Sequence, residues 1–262
     1  MAIALDLIED HFDTQYEKSL RRNQKKTRRK QQAKKQLIDI EEIQPRTETQ
    51  SYVFDAFDEG NNLLLHGVAG TGKTFVSLYL ALDDVFNGDD LKRSVTIVRS
   101  VVPTRDMGFL PGKEQEKTAV YEQPYQVMCR ELTGRGDGYQ ILKQRGVINF
   151  TTTSYIRGIT LDNTIVIVDE CQNMTFHELD SIITRVGENT RIIFCGDFRQ
   201  TDLTKPYDQS GIKEFMKILN SMRHFKSIEF DYEDIVRSGL VKEYIMAKDD
   251  YNDLQPRRAT GT

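Results

Sequence analysis

A chain of 262 residues and 30.3 kDa has room for one large domain or two small ones. Hydrophobic residues make up 38% of it and charged residues 29%, a balance that supports a core beneath a highly charged surface. No apolar run reaches about eighteen residues, so no transmembrane helix is expected. The opening Ala2-Ile3-Ala4-Leu5 is broken by Asp6, Glu9 and Asp10 and does not read as a signal peptide. Cys129, Cys171 and Cys195 lack metal-ligand spacing, which predicts reduced core thiols in a cytoplasmic protein and no protein-held zinc site.

The net charge of −4 is unevenly spread. Residues 1–16 alternate apolar and acidic side chains and fit the start of a short helix. Between Glu17 and Leu37 lie Lys18, Arg21, Arg22, Lys25, Lys26, Arg28, Arg29, Lys30, Lys34 and Lys35, ten cations against one carboxylate. Residues 17–36 therefore read as a solvated helix or disordered arm, either a plain charge run or one that binds a polyanion by counterion release. Pro45 closes the piece that follows, so we place the arm at 1–43, a catalytic domain at 44–250 and a tail at 251–262. Ser51-Tyr52-Val53-Phe54-Asp55-Ala56-Phe57 predicts an amphipathic helix with Val53, Phe54 and Phe57 on one face.

Leu63-Leu64-Leu65 predicts a strand, and residues 75–82 predict a helix. Between them stands His66-Gly67-Val68-Ala69-Gly70-Thr71-Gly72-Lys73-Thr74. Gly67, Gly72, Lys73 and Thr74 fit GxxxxGK[ST], the phosphate-binding loop of nucleoside triphosphatases. Triphosphate must approach the backbone closely, so glycine supplies both space and unusual dihedrals. The N–H groups of residues 67–74 and the helix N-terminus face the anion. Lys73 is expected to reach the outer phosphates, and the Thr74 hydroxyl suits a Mg²⁺ ligand.

Further along, 94–99 reads as a β-branched strand and 100–117 as a long connection. A helical region spans about 120–132, and Gly134-Arg135-Gly136-Asp137-Gly138 reads as a flexible turn. Strands are expected at 147–150, 164–168 and 191–195, with an alternating last strand at 226–230 that suits a sheet edge. Strands alternating with helices imply a mostly parallel α/β sheet, with ligands at the carboxyl ends of the strands.

Two acidic groups end such strands. In Val168-Asp169-Glu170-Cys171-Gln172, Asp169 could hold Mg²⁺ opposite Thr74, and Glu170 could orient the attacking water. Alone, the pair reads equally as a strand-end cap; the upstream phosphate loop favours the catalytic reading. Gly196-Asp197-Phe198-Arg199-Gln200 follows the next strand, where Asp197 and Gln200 could meet the γ-phosphate and the water, or form a simple Gly-Asp turn.

These three stretches resemble motifs I, II and III of superfamily one helicases. With Gly108-Phe109-Leu110-Pro111-Gly112, Lys117, Pro124-Tyr125, Tyr155-Ile156-Arg157-Gly158, Thr184-Arg185-Val186-Gly187, Thr201-Asp202-Leu203 and Asp234-Ile235-Val236-Arg237, the chain resembles the PhoH family of predicted ATPases over about 47–247. Cys171 departs from the small residue more frequent there, and the basic arm lies outside the resemblance. The resemblance implies a single RecA-like P-loop ATPase domain using ATP and Mg²⁺, working on RNA or single-stranded DNA as a homo-oligomeric ring, a hexamer favoured. Gln50 is similar in position to an adenine-reading glutamine, though it also fits a surface residue before a helix. Helicases of that superfamily finish the ATP site with an arginine from a second domain; with room for one domain here, Arg237, or secondarily Arg185, is expected to act across a subunit interface. Either also fits a surface ion pair. Arg99, Phe109, Tyr155 and Arg157 follow strands and are candidate nucleic-acid contacts, with core packing the alternative for the two aromatics. A P-loop small-molecule kinase and a non-catalytic nucleotide-gated binder are the competing readings.

Overall fold

The computed structural model describes residues 38–88, 94–100, 114–198 and 206–254. The chain divides into two compact units, Met1–Glu41 and Glu42–Thr262. The second unit holds the elements below; the basic arm, Phe109, Gln200 and the stretch 201–203 lie outside the described residues.

In order, the elements are α1 (Glu48–Asp58), β1 (Asn62–Gly67), α2 (Lys73–Asn87), β2 (Ser94–Arg99), α3 (Glu114–Thr133), α4 (Gly138–Gln144), β3 (Ile148–Thr152), β4 (Thr164–Asp169), α5 (Phe176–Ile183), β5 (Arg191–Gly196), α6 (Pro206–Ser221), β6 (Phe225–Phe230) and α7 (Gly239–Leu254). Six strands form one sheet in the order β3-β2-β4-β5-β1-β6, and every neighbouring pair is parallel. This is the α/β architecture expected from the alternating pattern. Strand β4 is buried at all six positions, as a central parallel strand covered on both faces must be. Strand β6 alternates and lies at the edge.

Phe194 is the pivot of the core. It is registered with Val168 on one side and Leu64 on the other, and its ring meets Phe215 of α6 edge-on at 5.2 Å between centroids. The same register fixes the site. His66 pairs with Gly196, Gly67 with Phe230, and Arg99 with Asp169. The phosphate loop and both acidic motifs therefore open at the carboxyl end of the strands, with β5 between β1 and β4.

The helices differ from the sequence pattern at two points. Helix α3 begins at Glu114, six residues before the expected start, because Glu, Gln, Lys and Ala are good helix formers even without an apolar stripe. After the glycine-rich turn a short helix, α4, forms with Tyr139 and Leu142 buried. It is clamped to α3 through Glu122, which accepts from the Tyr139 hydroxyl at 2.6 Å and Lys143 at 2.5 Å. Among the described residues no helix is long and apolar enough to cross a membrane.

Candidate nucleotide site

The phosphate loop is held by its neighbours. Gly67 lies at φ +116°, and an added Cβ would enter the backbone carbonyl of Phe230, which also accepts from Val68 N–H at 3.0 Å. Gly72, at φ +84°, is the N-cap of α2. Thr71 is fully buried and donates to the Val68 carbonyl at 3.1 Å, while its own carbonyl accepts from Gln50 Nε2 at 2.9 Å. Val236 N–H donates to the Gly70 carbonyl at 3.1 Å, so the segment after β6 closes over the loop.

Lys73 folds back on this loop. Its ammonium donates to the carbonyls of Val68 at 2.7 Å and Gly67 at 3.0 Å and to the Thr71 hydroxyl at 3.3 Å. Burial depresses its pKa; the nearby Asp197, Cys195, Glu170 and Asp169 work in the opposite direction.

Asp169 is held at both carboxylate oxygens. Thr74 donates to Oδ1 at 2.7 Å and the Tyr125 hydroxyl to Oδ2 at 2.6 Å. Burial, then the Asp169 charge, raises the Tyr125 phenol well above its usual range, keeping it a donor. Glu170 sits in the left-handed region at φ 52°, ψ 40°, which for a residue with a Cβ costs roughly 1–2 kcal/mol. The buried Gln172 joins the two acidic motifs: its Nε2 donates to Glu170 Oε2 at 2.6 Å, and its Oε1 accepts from Asp197 N–H at 3.1 Å.

These groups line a cavity of about 340 Å³ that includes Lys73, Thr74, Asp169, Glu170, Asp197 and Arg237. A second cavity, of about 380 Å³, is lined by Gln50, Phe54, Phe75, Pro124, Met128 and Val236. Both share Gly70, Gly72, Phe75, Met128 and Arg237, giving one cleft with a charged end and an apolar end. The size and lining suit a phosphate tail and a flat base. A divalent metal fits the charged end: the donors are a hydroxyl and a carboxylate, both hard oxygens, with remaining positions left to phosphate and water. Among the described residues no group of three or more His, Cys, Asp or Glu side chains could hold a metal alone.

The predicted residues fall into place unevenly. Gly67, Val68, Ala69, Gly70, Thr71, Gly72, Lys73, Thr74, Asp169 and Glu170 come together at the carboxyl end of the sheet. Gln50 is not a surface residue. It is buried, and its amide contacts Thr71 O and accepts from Arg46 N–H at 2.8 Å, so it braces the loop from the apolar end. Arg237 lines the cleft of its own chain, its Cγ 3.1 Å from where a Cβ on Gly70 would stand. Arg185 follows α5, where its carbonyl accepts from Leu161 N–H ahead of β4, at the opposite end of the sheet.

Arg99, the registered neighbour of Asp169, is half-buried, with its guanidinium 5.9 Å from the Tyr121 ring. Tyr155 is 48% exposed, so it is not core, and Arg157 is exposed beside it. Tyr125 and Gln172 carry functional contacts that residue-by-residue reading did not assign; both stand inside stretches of the family resemblance, which was the available signal.

The parallel sheet, the loop and the paired oxygen donors define a P-loop nucleotide-binding domain. A family model described as PhoH-like protein matches residues 42–249. The chain is 35% identical over 186 residues to a PhoH-like protein of Bacillus subtilis strain 168, covering 71% of this chain and 57% of the relative. It is 31% identical over 210 residues to protein PhoH of Escherichia coli strain K12, covering 80% and 59%. This chain belongs to the PhoH-like family, and the matched region spans less than two thirds of the length of these curated relatives. Among solved structures, the large terminase of the thermophilic bacteriophage D6E overlaps 77% of this chain and 50% of its own at a TM-score of 0.44 and 14% identity.

Proposed function

We propose that this protein is a Mg²⁺-dependent ATPase that couples hydrolysis to binding or remodelling RNA or single-stranded DNA. The observation that carries the reading is the Thr74–Asp169 bond at 2.7 Å, which joins the loop to the second motif as a metal-bound triphosphate would require. Thr74 and Asp169 would hold the Mg²⁺, which would supply positive charge against the charge that develops on the phosphates. Lys73 exchanges its three loop contacts for the outer phosphate oxygens. Glu170, oriented by Gln172, accepts a proton from the attacking water. Arg237 offers its charge to the same cleft from its own chain, and Gln200 belongs to the same proposal as the group that polarises the water. The apolar end receives the adenine, with Gln50 at its inner wall. Exposed Tyr155 and Arg157, Phe109 and the basic segment at 17–36 are the proposed contacts to the nucleic-acid chain.

The resemblance supports a homo-oligomeric ring, a hexamer favoured. Leu240, Tyr244 and Tyr251, all exposed on α7, are apolar surface available to a neighbouring copy. The test is phosphate release from ATP with no acceptor present, with and without single-stranded RNA and DNA, alongside a solution mass. Lys73→Ala should abolish turnover while retaining the wild-type melting profile. Turnover at the wild-type rate in that variant refutes the site, and phosphate transfer that requires an acceptor points instead to a kinase.

A further inference from the structure

Asp169 is the only charged member of the oxygen pair proposed to hold the metal, so its rotamer decides whether the pair exists. Two hydrogen bonds set that rotamer, and they come from opposite directions. Thr74, on the loop, holds Oδ1. Tyr125, which lies 44 positions before Asp169 in the chain, holds Oδ2 at 2.6 Å. The Tyr125 side chain is fully buried, and its ring packs at 5.8 Å between centroids from Phe150 of β3. It follows Pro124, a helix-interior proline that lines the apolar end of the cleft. Arg99, at the end of β2 and registered with Asp169, sets its charge near the same phenol; burial works against that charge while Tyr125, Asp169 and Glu170 outweigh the effect. The hydrogen-bonded order is therefore Tyr125 to Asp169 to Thr74, with Arg99 registered beside Asp169 on the neighbouring strand.

Core packing alone does not account for this arrangement, because a phenylalanine would fill the same ring position. The hydroxyl serves the carboxylate. Without it, Oδ2 would lose a buried charged hydrogen bond, and the carboxylate would be free to turn away from Thr74.

We propose that Tyr125 is a positioning residue for the metal-holding carboxylate of Asp169, and that Arg99 fixes Tyr125 in that role. The proposal rests on the nucleotide and metal reading above. It adds that the metal requirement of this protein is set by α3 and β2 as well as by the two motifs that touch the metal.

The test uses Tyr125→Phe in the full chain, read by binding rather than turnover. A fluorescent, non-hydrolysable ATP analogue is titrated with the protein across a range of Mg²⁺ concentrations, and ADP binding is measured separately in excess chelator. The variant should need about tenfold more Mg²⁺ for half-maximal tightening of the analogue, the scale of one buried charge-assisted hydrogen bond. Its metal-free ADP affinity should stay near wild type, while its melting temperature falls by a few degrees for the lost buried hydrogen bond. Arg99→Gln should shift the Mg²⁺ requirement in the same direction by about threefold, a smaller share of that hydrogen-bond scale because it acts one contact further away.

A wild-type Mg²⁺ requirement in Tyr125→Phe overturns the proposal. Parallel loss of metal-free and metal-dependent binding also overturns it, by making Tyr125 a packing residue. An unchanged requirement in Arg99→Gln removes the Arg99 part. If the wild-type protein binds neither ADP nor the analogue, the parent reading fails and takes the proposal with it, a result visible before any variant is made.

Discussion

Gln172 offers the sharpest test of how the two acidic motifs cooperate. Its amide donates to Glu170 Oε2 at 2.6 Å and accepts from Asp197 N–H at 3.1 Å, and the residue is 4% exposed. Gln172→Leu keeps the approximate volume and removes both contacts. The bond to the carboxylate is worth about 1.5–3 kcal/mol, and leaving the Asp197 N–H unpaired costs about 1–3 kcal/mol more. Water reaching the cleft edge would recover part of that, so a loss of roughly 2–4 kcal/mol in folding stability is expected from the same range. The catalytic effect has a different origin. Glu170 would keep its strained backbone position but lose the partner that aims it, and a misplaced general base typically forfeits about 10²-fold in turnover. Urea unfolding gives the first quantity, and phosphate release at saturating ATP gives the second. ADP affinity should remain within about threefold, since Gln172 is not assigned to hold the phosphates. Gln172→Glu should be worse in turnover than Gln172→Leu, because it presses two carboxylates together. Near-wild-type turnover in Gln172→Leu would refute the claim that this amide orients Glu170.

Two further outcomes check the packing around the loop. Gly67→Ala places a Cβ inside the Phe230 carbonyl at a positive φ; a loss of roughly 3 kcal/mol, or about 6–12 °C in melting temperature, is expected, whereas Gly136→Ala, with open space around it, should move the melt little. The thiols of Cys129 and Cys195 are pushed by burial from 9.0 to about 12, and Cys171 is raised well above its usual value by burial first. At pH 8 the folded protein should therefore resist alkylation while the denatured chain takes up three labels. The sign for stability follows: above about pH 9 the unfolded thiols ionise first, so stability should fall as pH rises from there toward 12, measured as a falling urea midpoint.

Much of the fold was legible because it is written in local chemistry. The all-apolar run of β4, the alternation of β6 and the glycine spacing before Lys73 each report their own surroundings. The acidic pair at Asp169 was legible only in company, because the phosphate loop upstream favours a catalytic reading over a strand-end cap. What the sequence left unread depends on sheet order. Arg99 and Asp169 become neighbours only because β2 lies beside β4, and Arg99 looked like a surface group until that register was known. Tyr125 lies in the helical region expected at 120–132, but no local pattern reveals that its hydroxyl meets Asp169, 44 positions later. Arg237 is assigned to a neighbouring subunit by the one-domain argument, and nothing in its local sequence reveals that the adjoining Val236 is bonded to Gly70.

That last contact also bears on synthesis. The phosphate loop lies early in the chain, yet its brace comes from Phe230 and Val236, with Arg237 and Ile245 standing beside Gly70. A ribosome adding roughly 5–20 residues per second would leave the glycines and Lys73 waiting on the order of ten seconds or more for those partners to emerge. During that interval the nascent chain carries the complete loop sequence without the surface that shapes it. A bound nucleotide would therefore assist folding only after residues 230–245 have emerged, as a clasp on an almost finished domain, and not as a seed for its first half.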